Sequence, residues 1–254
     1  MNKGVLDDKV ALVTGSSRGI GAGIAKLFAQ QGARVVVNGR DAAALAAVQA
    51  EIEQAGGKAM SAVADVTRFN EIEEMRRKIE RTFGPVDILV ANAGGSPTKP
   101  GPLEEIGEEE WRYSVDANIT ATFLTIKSFL PGMKERKTGN IITLSSAAAR
   151  QPNAMSPIPY AAAKAGIQMM TKILAAQAGP FGVRVNGIAP ETILTERNQR
   201  MIPDALKPAL VERHPIRRLG TPEDVARAAL FFASDESAWI TGVILDVNGG
   251  SMMV

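Results

Sequence analysis

Tyr160 and Lys164 are the two residues whose types and spacing most directly suggest chemistry. They stand four positions apart in an alanine-rich stretch that favours a helix, so their side chains share one helical face. A free tyrosine has a pKa of about 10 and exchanges protons poorly at neutral pH. A fixed ammonium group nearby favours the phenolate and lowers that pKa. We interpret the pair as a candidate acid/base centre, although the same spacing also occurs in ordinary helices.

A glycine-rich turn, Thr14-Gly15-Ser16-Ser17-Arg18-Gly19-Ile20-Gly21, follows a short apolar run and opens an amphipathic stretch. Glycines let a backbone turn tightly and approach a phosphate, and a helix N-terminus presents unpaired N–H groups. We predict a dinucleotide site here rather than an ordinary strand-to-helix turn. The cofactor-binding residues expected in this turn are Gly15, Ser17, Arg18, Gly19, Ile20 and Gly21.

The end of the second predicted strand, Val37-Asn38-Gly39-Arg40, bears on which dinucleotide binds. An NAD site typically places a carboxylate there to bind the ribose 2′-hydroxyl. Asn38 is neutral, and Arg18 and Arg40 could both face a 2′-phosphate. Asp41 is an alternative acid, but it precedes an alanine-rich run, and a helix N-cap is the simpler interpretation. We therefore favour NADP and keep NAD as the alternative.

The elements that must position these residues alternate along the chain. Apolar runs predict strands at 10–14, 34–38, 58–64, 86–91, 140–145, 183–188 and 243–247. Helical stretches are predicted at 19–31, 42–55, 70–83, 108–134, around Tyr160 to about 178, and at 223–234. Continuous apolar strands that alternate with helices favour a parallel sheet covered on both faces. We predict one α/β domain over residues 1–254, a doubly wound parallel sheet of about seven strands with helices on both faces.

Composition excludes several classes of function. The 254 residues carry a net charge of +2 with both signs interspersed, so nucleic-acid binding is not indicated. Cysteine is absent and His214 is the sole histidine, so no metal site is expected. No apolar run reaches the length of about 18 residues that a membrane helix needs. We expect a cytoplasmic protein that binds neither membrane nor nucleic acid.

The order of short motifs resembles that of the short-chain dehydrogenase/reductase family along the whole chain, and most closely its 3-oxoacyl-reductase branch. The resemblance implies a Rossmann fold. The matching motifs are Thr14-Gly15-x-x-x-Gly19-x-Gly21, Asp65, Asn92-Ala93-Gly94, Asn118, Ser146, Tyr160-x-x-x-Lys164 and Asn186-x-x-x-Pro190. Two positions depart from the family pattern: Ala91 stands where an asparagine is usual, and Glu191 stands where a glycine is usual. Glu191 is either structural filler or a group that selects the substrate.

The resemblance also implies where the cofactor lies. Asp65 would contact the adenine, and Val66 beside it would belong to the same site. Asn92, Ala93 and Gly94 would support the sheet and approach the cofactor ribose. The segment that cups the nicotinamide carboxamide would include Pro190, Ile193 and Thr195.

For catalysis, the resemblance implies that Asn118 holds a water in a proton relay and that Ser146 hydrogen-bonds the substrate carbonyl. Tyr160 would be the acid/base, and Lys164 would bind the nicotinamide ribose. Ser145 competes with Ser146, but adjacent residues at a strand end point in opposite directions, and the motif alignment selects Ser146.

Together these observations predict an NADP(H)-dependent oxidoreductase that acts on a small-molecule ketone or secondary alcohol, with a 3-oxoacyl thioester as one candidate. The alternatives are an NAD-dependent alcohol or sugar dehydrogenase and a non-enzymatic dinucleotide-sensing protein. The long segment at about 190–219 is predicted to be a substrate lid. Ile193, Leu194, Met201, Ile202, Leu206 and Leu210 either form its apolar wall or only pack the small helices of the lid itself, and Met155 and Ile158 are candidate contacts opposite. The resemblance further implies a homotetramer.

Overall fold

A computed structural model of the chain describes residues 4–96, 98–152 and 156–253. Seven parallel strands form one sheet in the order β3-β2-β1-β4-β5-β6-β7. The strands are β1 (Val10–Val13), β2 (Arg34–Gly39), β3 (Lys58–Val63), β4 (Ile88–Ala91), β5 (Gly139–Leu144), β6 (Val183–Pro190) and β7 (Ile244–Val247). The predicted doubly wound sheet is confirmed.

Helices connect the strands, as parallel pairing requires. They are α1 (Gly19–Gln30), α2 (Ala42–Gln54), α3 (Phe69–Thr82), α4 (Glu108–Val115), α5 (Ala121–Arg136), α6 (Ile158–Ala178), α7 (Glu196–Met201), α8 (Lys207–Glu212) and α9 (Pro222–Ala233). A π-helical turn, Asp116–Thr120, joins α4 to α5. Most predicted boundaries agree within two residues, and Asp41 caps α2 by accepting a hydrogen bond from the N–H of Ala44, as predicted.

The core lies on both faces of the sheet because alternate strand residues point to opposite sides. Ala11 and Val13 face one side, where α1, α2 and α9 pack, and Val10 and Leu12 face the other, where α3, α5 and α6 pack. The central strands β1, β4 and β5 are therefore buried on both faces, which explains their continuous apolar runs in the sequence.

The strand order places β1 between β2 and β4, so the chain winds outward from β1 in two directions. In open α/β sheets, ligands bind at the carboxyl ends of the strands beside such a point. The glycine-rich turn follows β1, and the motif Asn92-Ala93-Gly94 follows β4, so both predicted cofactor segments lie at this edge.

The predicted lid leaves and rejoins the sheet region at neighbouring points. Ile193 forms an isolated parallel bridge with Gly220, and the N–H of Leu194 donates to the Gly220 carbonyl at 2.8 Å. Between these ends lie α7 and α8. The two ends of the segment are thus hydrogen-bonded to each other.

Two further observations bear on the predictions. In the part of the chain that is described, no helix combines the length and the apolar character needed to cross a membrane. Near the C-terminus, where an apolar tail predicts burial, Met252 is buried and Met253 is exposed in the single chain.

Candidate active site

The side chains of Ser146 and Tyr160 are hydrogen-bonded to each other at the carboxyl edge of the sheet. Ser146 follows the end of β5, and its hydroxyl also accepts a hydrogen bond from the N–H of Ala148 at 3.2 Å. Tyr160 is the third residue of α6, at the helix end nearest this strand. Two hydroxyl groups, each able to donate and to accept, therefore meet where such sheets bind ligands.

Ser145 points the other way. Its hydroxyl donates to the carbonyl of Lys164 at 3.0 Å and accepts from the amide of Gln168 at 2.9 Å, so it fastens β5 to α6 inside the protein. Alternation at the strand end thus separates a structural serine from one that faces Tyr160.

Lys164 lies one turn after Tyr160 and is almost fully buried, at 4% exposure. Its Nζ donates to the carbonyl of Leu144 at 2.7 Å and stands 5.7 Å from the centroid of the Tyr160 ring. Burial lowers the pKa of Lys164 to about 8 because it disfavours the charged ammonium.

Burial also raises the pKa of Tyr160 above its ordinary value, because a phenolate is poorly solvated there. The hydrogen bond from Ser146 and the positive charge of Arg197 act against that rise without cancelling it. The sequence-based expectation was a pKa lowered by Lys164. The protein's own residues instead keep this phenol protonated at neutral pH, because desolvation outweighs the nearby charge.

Asn118 lies in the π-helical turn and is completely buried. Its Oδ1 accepts from the N–H of Gly95 at 3.0 Å, and its Nδ2 donates to the carbonyls of Gly95 at 2.9 Å and of Ser114 at 2.8 Å. The amide group therefore fixes the turn after β4. The water relay implied for Asn118 stays a prediction, and its side-chain donors are already engaged in this turn.

Gly94 shows why this turn needs glycine. Its φ is +150°, a region that side chains disfavour. A Cβ there would lie 2.6 Å from Oδ1 of Asn118 and 3.4 Å from Nζ of Lys164. The close approach brings the turn after β4 against two of the predicted catalytic residues.

Arg197, which the sequence did not single out, also reaches this site. It lies on α7, and its Nη2 donates to the carbonyl of Ser96 at 2.7 Å, 101 positions away in sequence. Its charge is felt by Tyr160. No periodicity or motif marks Arg197, so the sequence carried no signal for it beyond its presence in the predicted lid.

The glycine-rich turn is packed against the turn after β4. Gly15 has φ +64°, and a Cβ there would lie 2.8 Å from Cα of Ala93. Asn92 donates from Nδ2 to the carbonyls of Thr14 at 2.9 Å and Gly15 at 3.1 Å. The Thr14 hydroxyl in turn accepts from the N–H groups of Asn92 and Ala93, both at 3.1 Å. The two predicted cofactor segments thus form one hydrogen-bonded unit.

At the end of β2, Arg40 and Arg18 are exposed, and each has only a long contact to a carboxylate. Arg40 lies 3.8 Å from Asp65, and Arg18 lies 3.6 Å from Asp41. Burial would raise the pKa of Asp65, but hydrogen bonds from Thr67 and the charges of Arg40 and Arg68 outweigh it, so its pKa is lowered. Exposed ion pairs at such distances contribute little, about 0–1 kcal/mol, so both arginines can turn to another anion.

Three predicted cofactor residues have their side chains inside the protein. Asn38 is buried and donates to the carbonyls of Ala62 at 3.0 Å and Ala64 at 3.2 Å. Val66 and Ile193 belong to the apolar core. The assignment of these three residues to the cofactor site stays a prediction, in which backbone atoms rather than side chains would face the ligand.

The remaining predicted residues lie at the end of β6, at the start of α7 and in the glycine-rich turn. Pro190 ends β6, and Thr195 caps α7 by accepting from the N–H of Asn198 at 3.3 Å. A Cβ at Gly19 would stand 3.1 Å from Cγ2 of Thr195, so the lid segment meets the glycine-rich turn directly. Ser17 lies beside Gly39, and Ile20 packs on the core.

Of the apolar lid residues, Met201 and Leu206 are exposed, and Ile158 is exposed on the opposite side. Ile193 is in the core and does not belong to such a wall. Met155 lies outside the described residues.

Glu191 is structural rather than free. Its Oε2 lies 2.5 Å from Nε2 of the buried His214 and accepts from the Ser251 hydroxyl at 2.8 Å. The carboxylate that departs from the family pattern is therefore directed into the protein and away from the pocket beside Tyr160.

A nicotinamide dinucleotide fits the residues present. Arg18 precedes α1 and makes no side-chain cap, so the N–H groups of the first helical turn suit a phosphate. The glycines bring the backbone close, and the exposed Arg18 and Arg40 supply positive charge. Among the described residues, no group of three or more carboxylate or histidine side chains is arranged to hold a metal ion.

The chain is similar to known proteins over almost its whole length. Residues 15–252 match the family model described as enoyl-(acyl carrier protein) reductase. The chain is 40% identical over 249 residues to a 3-oxoacyl-[acyl-carrier-protein] reductase of Vibrio cholerae, covering 98% of this chain and 99% of that protein. It is 37% identical over 247 residues to a 7alpha-hydroxysteroid dehydrogenase of Escherichia coli (strain K12), covering 97% of this chain and 95% of that protein.

Among solved structures, a 7alpha-hydroxysteroid dehydrogenase complexed with NADH and 7-oxo glycochenodeoxycholic acid superposes with a TM-score of 0.92. The two chains are 37% identical, and the match covers 98% of this chain and 97% of that one. Sequence and fold agree over nearly the whole length. The chain belongs to the short-chain dehydrogenase/reductase family of nicotinamide-dependent oxidoreductases.

Proposed function

We propose that the protein transfers a hydride between NADP(H) and a ketone or secondary alcohol, with Tyr160 as the acid/base. The observation that carries this proposal is the hydrogen bond between Ser146 and Tyr160, one helical turn from the buried Lys164, at the carboxyl edge of the sheet. A dinucleotide-sensing protein would have no need of this arrangement.

In the direction of reduction, Ser146 donates a hydrogen bond to the carbonyl oxygen as negative charge develops on it. Tyr160 then delivers its proton to the same oxygen. Burial supports this role because it raises the pKa of Tyr160 and keeps the proton on the phenol at neutral pH. When bound, the cofactor supplies or accepts the hydride.

In the direction of oxidation, Tyr160 must accept the proton of the alcohol as a phenolate. Positive charge nearby favours that form. The charge of Arg197 acts to lower the pKa of Tyr160, and the ammonium of Lys164 is a second positive group beside the tyrosine ring. We infer that Lys164 also binds the nicotinamide ribose and that Asn118 holds the turn after β4 in place for it.

The cofactor would lie along the edge formed by the glycine-rich turn, the end of β2 and the turn after β4. We favour NADP because Arg18 and Arg40 are exposed and only loosely paired, and because no carboxylate ends β2. Because a solved relative holds NADH, NAD is the alternative against which NADP is tested.

The substrate would enter between the lid at about 190–219 and the segments that follow β4 and β5. A 3-oxoacyl thioester is one candidate because of the Vibrio cholerae relative, and a steroid is another because of the Escherichia coli relative. We further propose a homotetramer in the cytoplasm. Exposed apolar side chains on α4, α5 and α6, among them Trp111, Phe123 and Met169, support assembly.

The test is a panel of ketones, sugars, steroids and 3-oxoacyl thioesters, read by consumption of NADPH or NADH, with the wild type and Tyr160→Phe. We expect the variant to lose turnover at least about a thousandfold while its dissociation constant for the cofactor changes less than about threefold. Tyr113→Phe, an exposed tyrosine on α4, is the matched control and should leave turnover unchanged. Undiminished turnover in Tyr160→Phe would remove Tyr160 from the reaction.

A further inference from the structure

Arg197 holds a guanidinium group at the mouth of the site. From α7 its side chain crosses to the turn after β4, where Nη2 donates to the Ser96 carbonyl and Nη1 lies beside Gly95, 3.6 Å from where a Cβ would stand. Gly95 is held by Asn118, and Gly94 approaches Lys164. The guanidinium therefore borders the same small region as the catalytic groups.

The partners of this guanidinium are neutral. Besides the Ser96 carbonyl, Nε contacts Sδ of Met201 at 3.3 Å. Within residues 4–96, 98–152 and 156–253, no carboxylate forms an ion pair with Arg197, whereas Arg150, Arg218 and Arg227 each have one. A guanidinium fork binds carboxylates and phosphates most strongly. Arg197 thus retains unused capacity for an anion.

The surrounding charges favour the same ligand. Lys164 is the other ionisable group of the site besides Tyr160, and it is cationic when protonated. Of the acids before Arg197, Glu196 is directed toward Gly19, where its Oε2 would lie 3.9 Å from a Cβ, and Glu191 contacts His214 and Ser251. Arg197 is close enough to Tyr160 for its charge to act on that hydroxyl. An anionic group on the substrate would therefore meet positive potential within a few bonds of the reacting carbonyl.

We propose that Arg197 sets substrate specificity by binding a carboxylate near the reacting carbon, so that short oxo acids, or the corresponding hydroxy acids, are preferred to neutral ketones. This inference rests on the proposed oxidoreductase function and narrows its substrate. The same fork could instead bind a phosphate of the dinucleotide, and a cofactor titration separates the two sources of negative charge.

The experiment compares each of two oxo acids with its neutral methyl ester: acetoacetate with methyl acetoacetate, and 2-oxobutyrate with methyl 2-oxobutyrate. The kcat/KM of each is measured for the wild type, Arg197→Met, Arg197→Lys and Arg200→Met. Arg200 is an exposed arginine on the same helix and controls for a general loss of charge. NADPH dissociation constants are measured for all four proteins.

We expect the wild type to favour each acid over its ester. Arg197→Met should lower kcat/KM for the acids by about tenfold or more, mainly through KM, and change the esters by less than about threefold. Arg197→Lys should keep part of the preference, and Arg200→Met should keep all of it. NADPH affinity should not change.

Three results would overturn the inference. An equal loss for acids and esters would mean that Arg197 only latches α7 to Ser96. A loss confined to NADPH affinity would assign the fork to the cofactor. If the wild type reduces the esters as well as the acids, the proposed preference for a carboxylate is wrong, while the oxidoreductase proposal is unaffected. Absence of turnover with every ketone of both panels would instead overturn the proposed function, and this inference with it.

Discussion

Oε2 of Glu191 and Nε2 of His214 lie 2.5 Å apart where β6 ends, and the imidazole of His214 is almost completely buried. The second ring nitrogen, Nδ1, lies 2.7 Å from the carbonyl of Leu210. Both ring nitrogens therefore face acceptor oxygens, one on the carboxylate and one on the backbone. This contact ties the predicted lid to the sheet.

Replacing Glu191 with glutamine should therefore destabilise the protein. The change alters the only side chain that faces Nε2 of the buried imidazole among the contacts described, and disrupting such a buried polar contact costs about 1–3 kcal/mol. Urea unfolding of the wild type, Glu191→Gln and Glu196→Gln measures it, since Glu196 is exposed on α7 and serves as the control. A double variant with His214→Asn should lose less than the sum of the single losses. Equal stability of the two glutamine variants would contradict the coupling.

Lys164 makes stability depend on pH. Burial lowers its pKa to about 8 from the ordinary 10.5, a difference equivalent to roughly 3 kcal/mol. Below about pH 8 the folded protein carries this ammonium at a cost. Between about pH 8 and 10.5 the unfolded chain binds more protons than the folded one, so this contribution raises stability as the pH rises.

Lys164→Met should accordingly be more stable than the wild type at pH 7 and should lose that advantage by about pH 10. The loss follows because the folded wild type no longer carries the buried charge at pH 10, whereas methionine still lacks the hydrogen bond from Nζ to Leu144. Melting temperatures at both pH values, with the exposed Lys172→Met as control, check the prediction. The same advantage at both pH values would show that the ammonium bears no cost.

Arg40 should determine the preference for NADP. Arg40→Ala should weaken NADPH binding by about tenfold or more, because a charge-assisted contact to the 2′-phosphate is lost, and should leave NADH binding nearly unchanged. Fluorescence titration with both cofactors measures this. The control is Lys58→Ala, because Lys58 is the first residue of β3 and lies at the amino ends of the strands, away from the predicted cofactor edge. If wild-type NADH binding is as tight as NADPH binding, the charge argument is wrong.

The apolar surface of α6 should mediate assembly. Met169 and Ile173 are 57% and 51% exposed in the single chain. Light scattering after gel filtration should give about four times the 26.9 kDa chain mass for the wild type and a smaller particle for the variant Met169→Glu with Ile173→Glu, because buried charge opposes association. Val5→Glu, at another exposed apolar residue, should leave the mass unchanged. A monomeric wild type would contradict the proposed tetramer.

The sequence predicts features that depend on local pattern. The alternation of apolar strands and helices was enough to predict the sheet, and Asp41 before an alanine run was enough to predict a cap. Strand alternation also separates Ser145 from Ser146, because neighbouring residues face opposite sides.

Features that depend on distant contacts were not predictable. Asn38 was expected from its place at the end of a strand and Ile193 from a segment that resembles the family, but the burial of both side chains depends on which helices cover the sheet. The direction of the pKa shift of Tyr160 depends on desolvation, which spacing alone does not reveal. The contact between Arg197 and Ser96 joins residues of two separate turns, and no local rule connects them.

The bridge between Ile193 and Gly220 has a consequence for engineering. A segment whose two ends are pinned together behaves as a cassette, since its interior can be exchanged while the junction with the sheet is kept. Transplanting the residues between these two positions from a relative should alter which molecule is accepted while leaving the glycine-rich turn and α6 unchanged. Within such a chimera Glu191 and His214 would have to be exchanged as a matched pair, because one is outside the cassette and the other inside it.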